Sequence, residues 1–202
     1  MKTPFTLGPA DHGRPLTLDE FLQSDYQEGY QYELIDARLY VVPMAEAPEA
    51  VNEWCVFRRL FHYADAQPEV INFVYNKTRV FVPGHTEPTV VGPDIAAYHG
   101  FPLRGDRKAL RWQDHNPILV VEVVSESDPD KDLVRNVDLY LEVPSIREYW
   151  ILDPRSEILG LQLLIYRRRG QRWQKPIVIN EGETYAPRIL PGFSLLLDPQ
   201  RS

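Results

Sequence analysis

The chain has 202 residues, 44% hydrophobic and 25% charged, with a formal net charge of -7 at pH 7. That is the size and composition of one globular domain with a substantial core. The negative balance excludes a broadly basic surface but leaves room for a local basic groove or an acidic metal site. No run approaches the ~18 apolar residues of a membrane span, and the opening MKTPFTLGPADHG has no signal-peptide core, so a cytoplasmic protein without membrane attachment is expected. Cys55 is the only cysteine, which rules out an internal disulfide, a thiolate metal cluster and a CxxC pair, and leaves core packing as its expected role.

Residues 1–15, with Pro4, Gly8, Pro9, Gly13 and Pro15, read as an irregular arm ahead of a single domain over 16–202. Thr17 and Glu20 form a capping-box pattern that predicts a short helix. In YQYELIDARLYVVP, apolar residues flank Asp36-Ala37-Arg38, which predicts a hairpin carrying Glu33. From Pro48 to Ala66, the spacing of Val51, Trp54, Cys55, Leu60 and Phe61 predicts an amphipathic helix with Arg58 and Arg59 facing water. Short strands follow in INFVY, TRVFVPG and TVVGPDIAAY, the last holding Asp94. Residues 100–116 read as a loop with a basic run, Arg104, Arg107, Lys108 and Arg111.

Pro117 to Asp153 is the stretch around which the chain is organised. Ile118 to Val124 is apolar and mostly β-branched, the pattern of a strand covered on both faces, yet Glu122 stands in its middle. A carboxylate is rarely buried without an ion pair, a metal or a strongly raised pKa, so either a structural pair with an arginine or a functional site is expected there. Asp128-Pro129 predicts a helix start, and Leu133, Val137, Tyr140 and Leu141 recur at helical spacing with Asp132, Arg135, Asn136 and Glu142 off that stripe. Pro144 ends the helix and EYWILD reads as a second buried strand, giving a strand–helix–strand unit with a parallel pair. ILGLQLLIY and QRWQKPIVI then predict a hairpin around Arg169-Gly170, and FSLLLD a final strand.

Several chemistries lack their residues. There is no glycine-rich phosphate loop, no GxSxG elbow and no HExxH, and the five histidines contain no i, i+4 ligand pair. Carboxylates remain: Asp94 and Glu122, each in an apolar strand, suit neighbouring strands converging on a hard cation, with Glu33 as a third acid.

Taken together, YELIDARLY, VGPDIAAY, PILVVEVVSES, DLVRNVDLY, REYWILDP and LPGFSLLLDP resemble, in order and spacing, the Uma-two family, across most of Leu16 to Asp198. The resemblance implies an α/β (α+β) restriction-endonuclease-like PD-(D/E)xK fold, a mixed central sheet flanked by helices with additional antiparallel hairpins. It implies a Mg²⁺- or Mn²⁺-dependent DNA endonuclease working as a homodimer. Pro93-Asp94 matches the PD element, Glu122 the second acid, and Glu33 an acidic position of the YEL segment, so Asp94 and Glu122 are the expected metal ligands. The motif lysine two residues after Glu122 is Val124 here, the alternative helix position is Asn136, the helical histidine is Asn52 and the turn glycine is Ala37. Lys131 and Arg135 are the nearest cations in sequence that could stand in for the lysine; an arginine stays protonated and cannot serve as a base, so Lys131 is the expected one. The contrasting expectation is a nuclease-fold module that binds nucleic acid or protein without turnover.

Overall fold

The apolar run Leu119–Val123 lies at the middle of a seven-stranded sheet with all five residues buried. The computed structural model describes residues 6–44, 47–126, 128–156, 158 and 160–198. In chain order the elements are β1 (Thr6–Leu7), α1 (Leu18–Gln23), β2 (Asp25–Tyr26), β3 (Tyr30–Ile35), β4 (Arg38–Pro43), α2 (Ala47–Ala66), β5 (Phe73–Tyr75), β6 (Val80–Phe81), β7 (Val90–Val91) and β8 (Ile95–Tyr98). They continue with β9 (Leu119–Val123), α3 (Asn136–Leu141), β10 (Glu148–Ser156), β11 (Gly160–Arg169), β12 (Arg172–Trp173), β13 (Ile177–Asn180), β14 (Thr184–Tyr185) and β15 (Leu195–Leu196). A π-helical turn, Lys131–Arg135, runs directly into α3.

The main sheet has the order β12-β11-β10-β9-β8-β5, with β13 also paired to β11. β9 and β10 run parallel, as the strand–helix–strand pattern predicts, and β8 and β11 flank that pair antiparallel. The sheet is therefore mixed. Its two faces alternate strictly along β9. Leu119, Val121 and Val123 pack with Val56 and Leu60 of α2, whereas Val120 and Val124 pack with Tyr140, Tyr149 and Ile151 on the α3 side. Since side chains alternate along a strand, Glu122 points to the α3 side. A four-stranded sheet, β4-β3-β7-β6, carries Glu33.

Thr17 and Glu20 form the reciprocal capping box. Asp36 and Ala37 close the β3–β4 hairpin with φ of 47° and 58°, both positive as a two-residue type I′ turn requires. The N-terminal arm is less irregular than its composition predicts. Thr6–Leu7 pairs with Asp25–Tyr26, Leu7 is fully buried, and the Gly13 N–H donates to Leu39 O at 2.7 Å; residues 1–5 lie outside the described residues.

On α2 the buried stripe is Cys55, Val56, Leu60, Tyr63 and Ala64, while Val51, Trp54 and Phe61 stay exposed. The predicted apolar stripe therefore holds only in part, and Arg58 and Arg59 are half-buried instead of facing water. No helix among the described residues is long and apolar enough to cross a membrane.

Candidate active site

Glu122 is completely buried. Its neighbour across the sheet is set by register: Ile95 pairs with Val121, so the next position on each strand brings Asp94 opposite Glu122. The two acids interlock through the backbone, the Asp94 N–H donating to Glu122 Oε2 at 3.2 Å and the Val123 N–H to Asp94 Oδ2 at 2.7 Å. This arrangement follows from a Pro93-Asp94 bend at the start of β8 beside the end of β9. Glu122 Oε1 accepts from Tyr140 OH at 2.6 Å and from Asn136 Nδ2 at 3.0 Å.

The cation beside Glu122 is a lysine and not an arginine. Lys131 Nζ lies 3.7 Å from Glu122 Oε2 and donates to Asp132 Oδ1 at 2.5 Å, with only 8% of the lysine exposed. Asp132 Oδ1 also accepts from Asn136 Nδ2 at 3.2 Å, while Asp132 Oδ2 is buried with no hydrogen-bond partner. Glu33, also buried, stands apart from this pair: its carboxylate binds the Arg135 guanidinium and accepts the Gly92 N–H at 3.1 Å. The sequence-predicted residues Asp94, Glu122 and Lys131 thus share one cluster, and Glu33 ties the four-stranded sheet to the helix beside it.

The π-helical turn explains why Lys131 reaches the cluster. In an α-helix the Asn136 N–H would donate to the Asp132 carbonyl; here it donates to Lys131 O, five residues back. The extra residue in the turn swings Lys131 toward the face of Asn136, and such turns recur at functional sites. The Asp132 carbonyl freed by the turn accepts Tyr149 OH from β10 at 2.9 Å. Asp132 and Asn136, expected off the buried stripe, are therefore fully buried. A signal was present: Asp132 and Asn136 precede Tyr140 of the apolar stripe at four-residue steps and share its face, but the polarity of those two argued for solvent. Val124 is buried among apolar side chains, so the motif's lysine position is part of the core.

Electrostatics follow from burial. Desolvation pushes Glu122 up to about 8, with Lys131 opposing and Asp94 and Glu33 adding to the rise. Asp94 rises to about 6 through burial, held back by Lys131 and the Val123 N–H. Asp132 rises to about 7 through burial and the charge of Glu122, against the pull of Lys131. Burial acts to lower the Lys131 pKa, but the surrounding carboxylates of Glu122, Asp132, Glu33 and Asp94 outweigh it and the net shift is upward.

This fold is that of a solved nuclease-type structure. The chain superposes with a TM-score of 0.70 at 17% identity, covering 91% of this chain and 96% of the other, on the crystal structure described as a "putative nuclease belonging to DUF820" from Anabaena variabilis ATCC 29413. The Uma2 family model, described as "Putative restriction endonuclease", matches residues 18–198, and the chain belongs to that family. No curated protein matches it.

Proposed function

We propose that the chain is a metal-dependent DNA endonuclease with Asp94 and Glu122 as the metal-holding acids and Lys131 as the catalytic cation. The observation that carries this reading is the interlocked Asp94–Glu122 pair with an ammonium 3.7 Å from Glu122. Buried acids and a buried lysine crowded at a strand end are costly to the fold, and such perturbed groups cluster where chemistry is done.

The donor set fits a hard cation such as Mg²⁺ or Mn²⁺. Mg²⁺ is usually held by one or two carboxylates with water and substrate phosphate completing its shell, not by an all-protein cage. Among the described residues no group of three or more His, Cys, Asp or Glu side chains is arranged as such a cage. A bound cation would lower the pKa of the attacking water and neutralise charge on the phosphate.

The chain's own residues supply the remaining parts. Lys131, whose pKa the surrounding carboxylates raise, stabilises the negative charge that grows on the phosphate. Tyr140 and Asn136 orient the Glu122 carboxylate through Oε1, leaving Oε2 turned toward Asp94 and Lys131. Glu33 and Arg135 position the helix that carries Lys131. The homodimer expected from the family resemblance belongs to this reading, since paired sites suit two strands.

A non-cutting module is the second reading, favoured by Asn136, which fills the helix position of the missing lysine with a neutral amide bridging Glu122 and Asp132. Supercoiled, linear and single-stranded DNA incubated with Mg²⁺ or Mn²⁺ separates the two. The endonuclease reading expects metal-dependent nicking that chelation or Asp94→Asn abolishes, and a loss of at least about a hundredfold on Lys131→Met, the size of one preorganised donor. Tight DNA binding with no cleavage in either metal would establish the module instead.

A further inference from the structure

β5 is the outermost strand of the main sheet on the side of Asp94, and it carries two members of an aromatic cluster. Tyr75 stacks on Phe73 at 5.7 Å with 19° between ring planes, Phe73 on Phe101 at 4.4 Å and 17°, and Tyr75 on Trp112 at 6.2 Å and 17°. Phe73 and Trp112 are themselves 6.4 Å apart at 27°, so Tyr75, Phe73 and Trp112 form a triangular cluster of nearly parallel rings, of which Tyr75 is the most exposed at 39%. Register fixes where this lies. Tyr75 pairs with Ala96 and Ala96 with Val120, both on the α3 side of the sheet that Glu122 also faces. Tyr75 is thus one strand across and two residues along from Asp94, about 8 Å between backbones from standard strand spacings.

Cations flank this aromatic cluster in sequence, and one acid lies beside it in space: Glu53 Oε1 accepts from Asn76 Nδ2 at 3.4 Å. Trp112 is the end of the exposed loop that carries Arg104, Arg107, Lys108 and Arg111, and the exposed Lys77 follows β5. Of the acids in that loop, Asp106 is engaged by the Lys108 N–H at 2.9 Å as a turn former, and Arg111 braces the loop by donating to the Lys108 and Leu110 carbonyls. On a chain of net charge -7, exposed cations thus flank Tyr75 and Trp112 in sequence. Parallel aromatic faces with flanking cations are the features that bind unpaired bases and their phosphates without reading sequence.

We propose that Tyr75 is a base-stacking platform for single-stranded DNA, presenting its exposed ring to one unpaired base on the sheet face that carries Asp94. Arg107, Lys108 and Lys77 take the neighbouring phosphates. The substrate class is then a strand that is already single or locally opened, not an undistorted duplex. The platform rests on the endonuclease reading for its purpose, but not for its test.

The test measures binding of a fluorescent 20-mer oligothymidylate, and of a duplex of equal length, to the full chain by anisotropy without added metal. The single strand is expected to bind more tightly than the duplex. Tyr75→Ala and Tyr75→Leu should each weaken single-strand binding about fivefold to about 150-fold, the range for one base–aromatic stack, with duplex binding changed less than about twofold. Tyr75→Phe should bind as the parent does. A 2-aminopurine base in the oligomer should be quenched by the parent and by Tyr75→Phe, and not by Tyr75→Leu, which keeps apolar bulk without a ring.

Equal single-strand affinity for the parent and Tyr75→Leu overturns the platform, and so does a parent that binds no single strand. A parent that cuts duplex DNA yet is indifferent to Tyr75 sinks the platform alone. Ring-dependent binding without cleavage upholds it and removes the endonuclease reading.

Discussion

Asp94, Glu122 and Asp132 crowd one lysine, and in water-poor surroundings the three acids cannot all be ionised cheaply. Their folded-state pKa values of about 6, 8 and 7 stand above the ordinary 3.8, 4.5 and 3.8. The native state therefore holds protons that the unfolded chain has released. The stability these groups contribute is present below about pH 4 and is lost as pH rises through their folded values, toward about pH 8. In metal-free buffer the melting temperature should fall between about pH 5 and 8. Asp132→Asn keeps the Oδ1 bonds to Lys131 and Asn136 and removes one carboxylate, so its decline should be shallower; thermal melts across that range check it, and identical slopes for parent and variant would mean that Asp132 is ionised throughout.

Among elements, the turn between β9 and α3 decides most. An α-helical Lys131–Arg135 would satisfy its own carbonyls, and in the π form the Asp132 carbonyl is taken up instead by Tyr149 OH. Tyr149→Phe removes that bond in a buried place, which costs about 1–3 kcal/mol. It also frees the turn to tighten and carry Lys131 away from Glu122. Urea unfolding should show that loss of stability, and cleavage by the still-folded variant should drop at least tenfold; cleavage unchanged at full occupancy would show that the turn holds without Tyr149.

Another element behaves differently from its composition. Arg168, part of the basic β11–β12 hairpin, caps the end of α3 by donating to the carbonyls of Tyr140, Leu141, Val143 and Ile146, and lies over the Trp173 ring at 4.9 Å. It is therefore a structural residue and not a free phosphate contact.

At the scale of the whole molecule, a net charge of -7 repels DNA, so the proposed DNA binding would have to come from local clusters that face solvent. The exposed loop cations Arg104, Arg107 and Lys108 form one such cluster. Duplex affinity should fall with salt, with a slope of about 0.9 per phosphate neutralised. Replacing those three by alanine should flatten the plot of log affinity against log salt. Arg168→Ala should leave the slope alone and lower stability, because its charge is spent on helix carbonyls. A slope insensitive to the loop triple variant would assign DNA contact to the exposed Arg169, Arg172 and Lys175 instead.

How much was legible in the chain alone follows from the range of the forces involved. Strand and helix periods, the Thr17–Glu20 capping box, the Asp36-Ala37 turn and the parallel β9–β10 pair depend on neighbours within a few residues or on a short crossover, and they were readable. Glu122 announced itself because an acid in an apolar strand violates local pattern. Its partners did not. Asp132 and Asn136 look like solvent-facing helix residues until the π turn and the buried floor of Tyr149 exist, and both depend on β10 packing beside β9. The same holds for Lys131, whose approach to Glu122 is set by that turn and not by sequence distance. Arg168 as a helix cap, Glu33 paired to Arg135 and the outer stripe of α2 are likewise products of which surfaces meet. Local propensity determined the elements; the sheet's packing, which alone decides what is desolvated and beside what, determined the site.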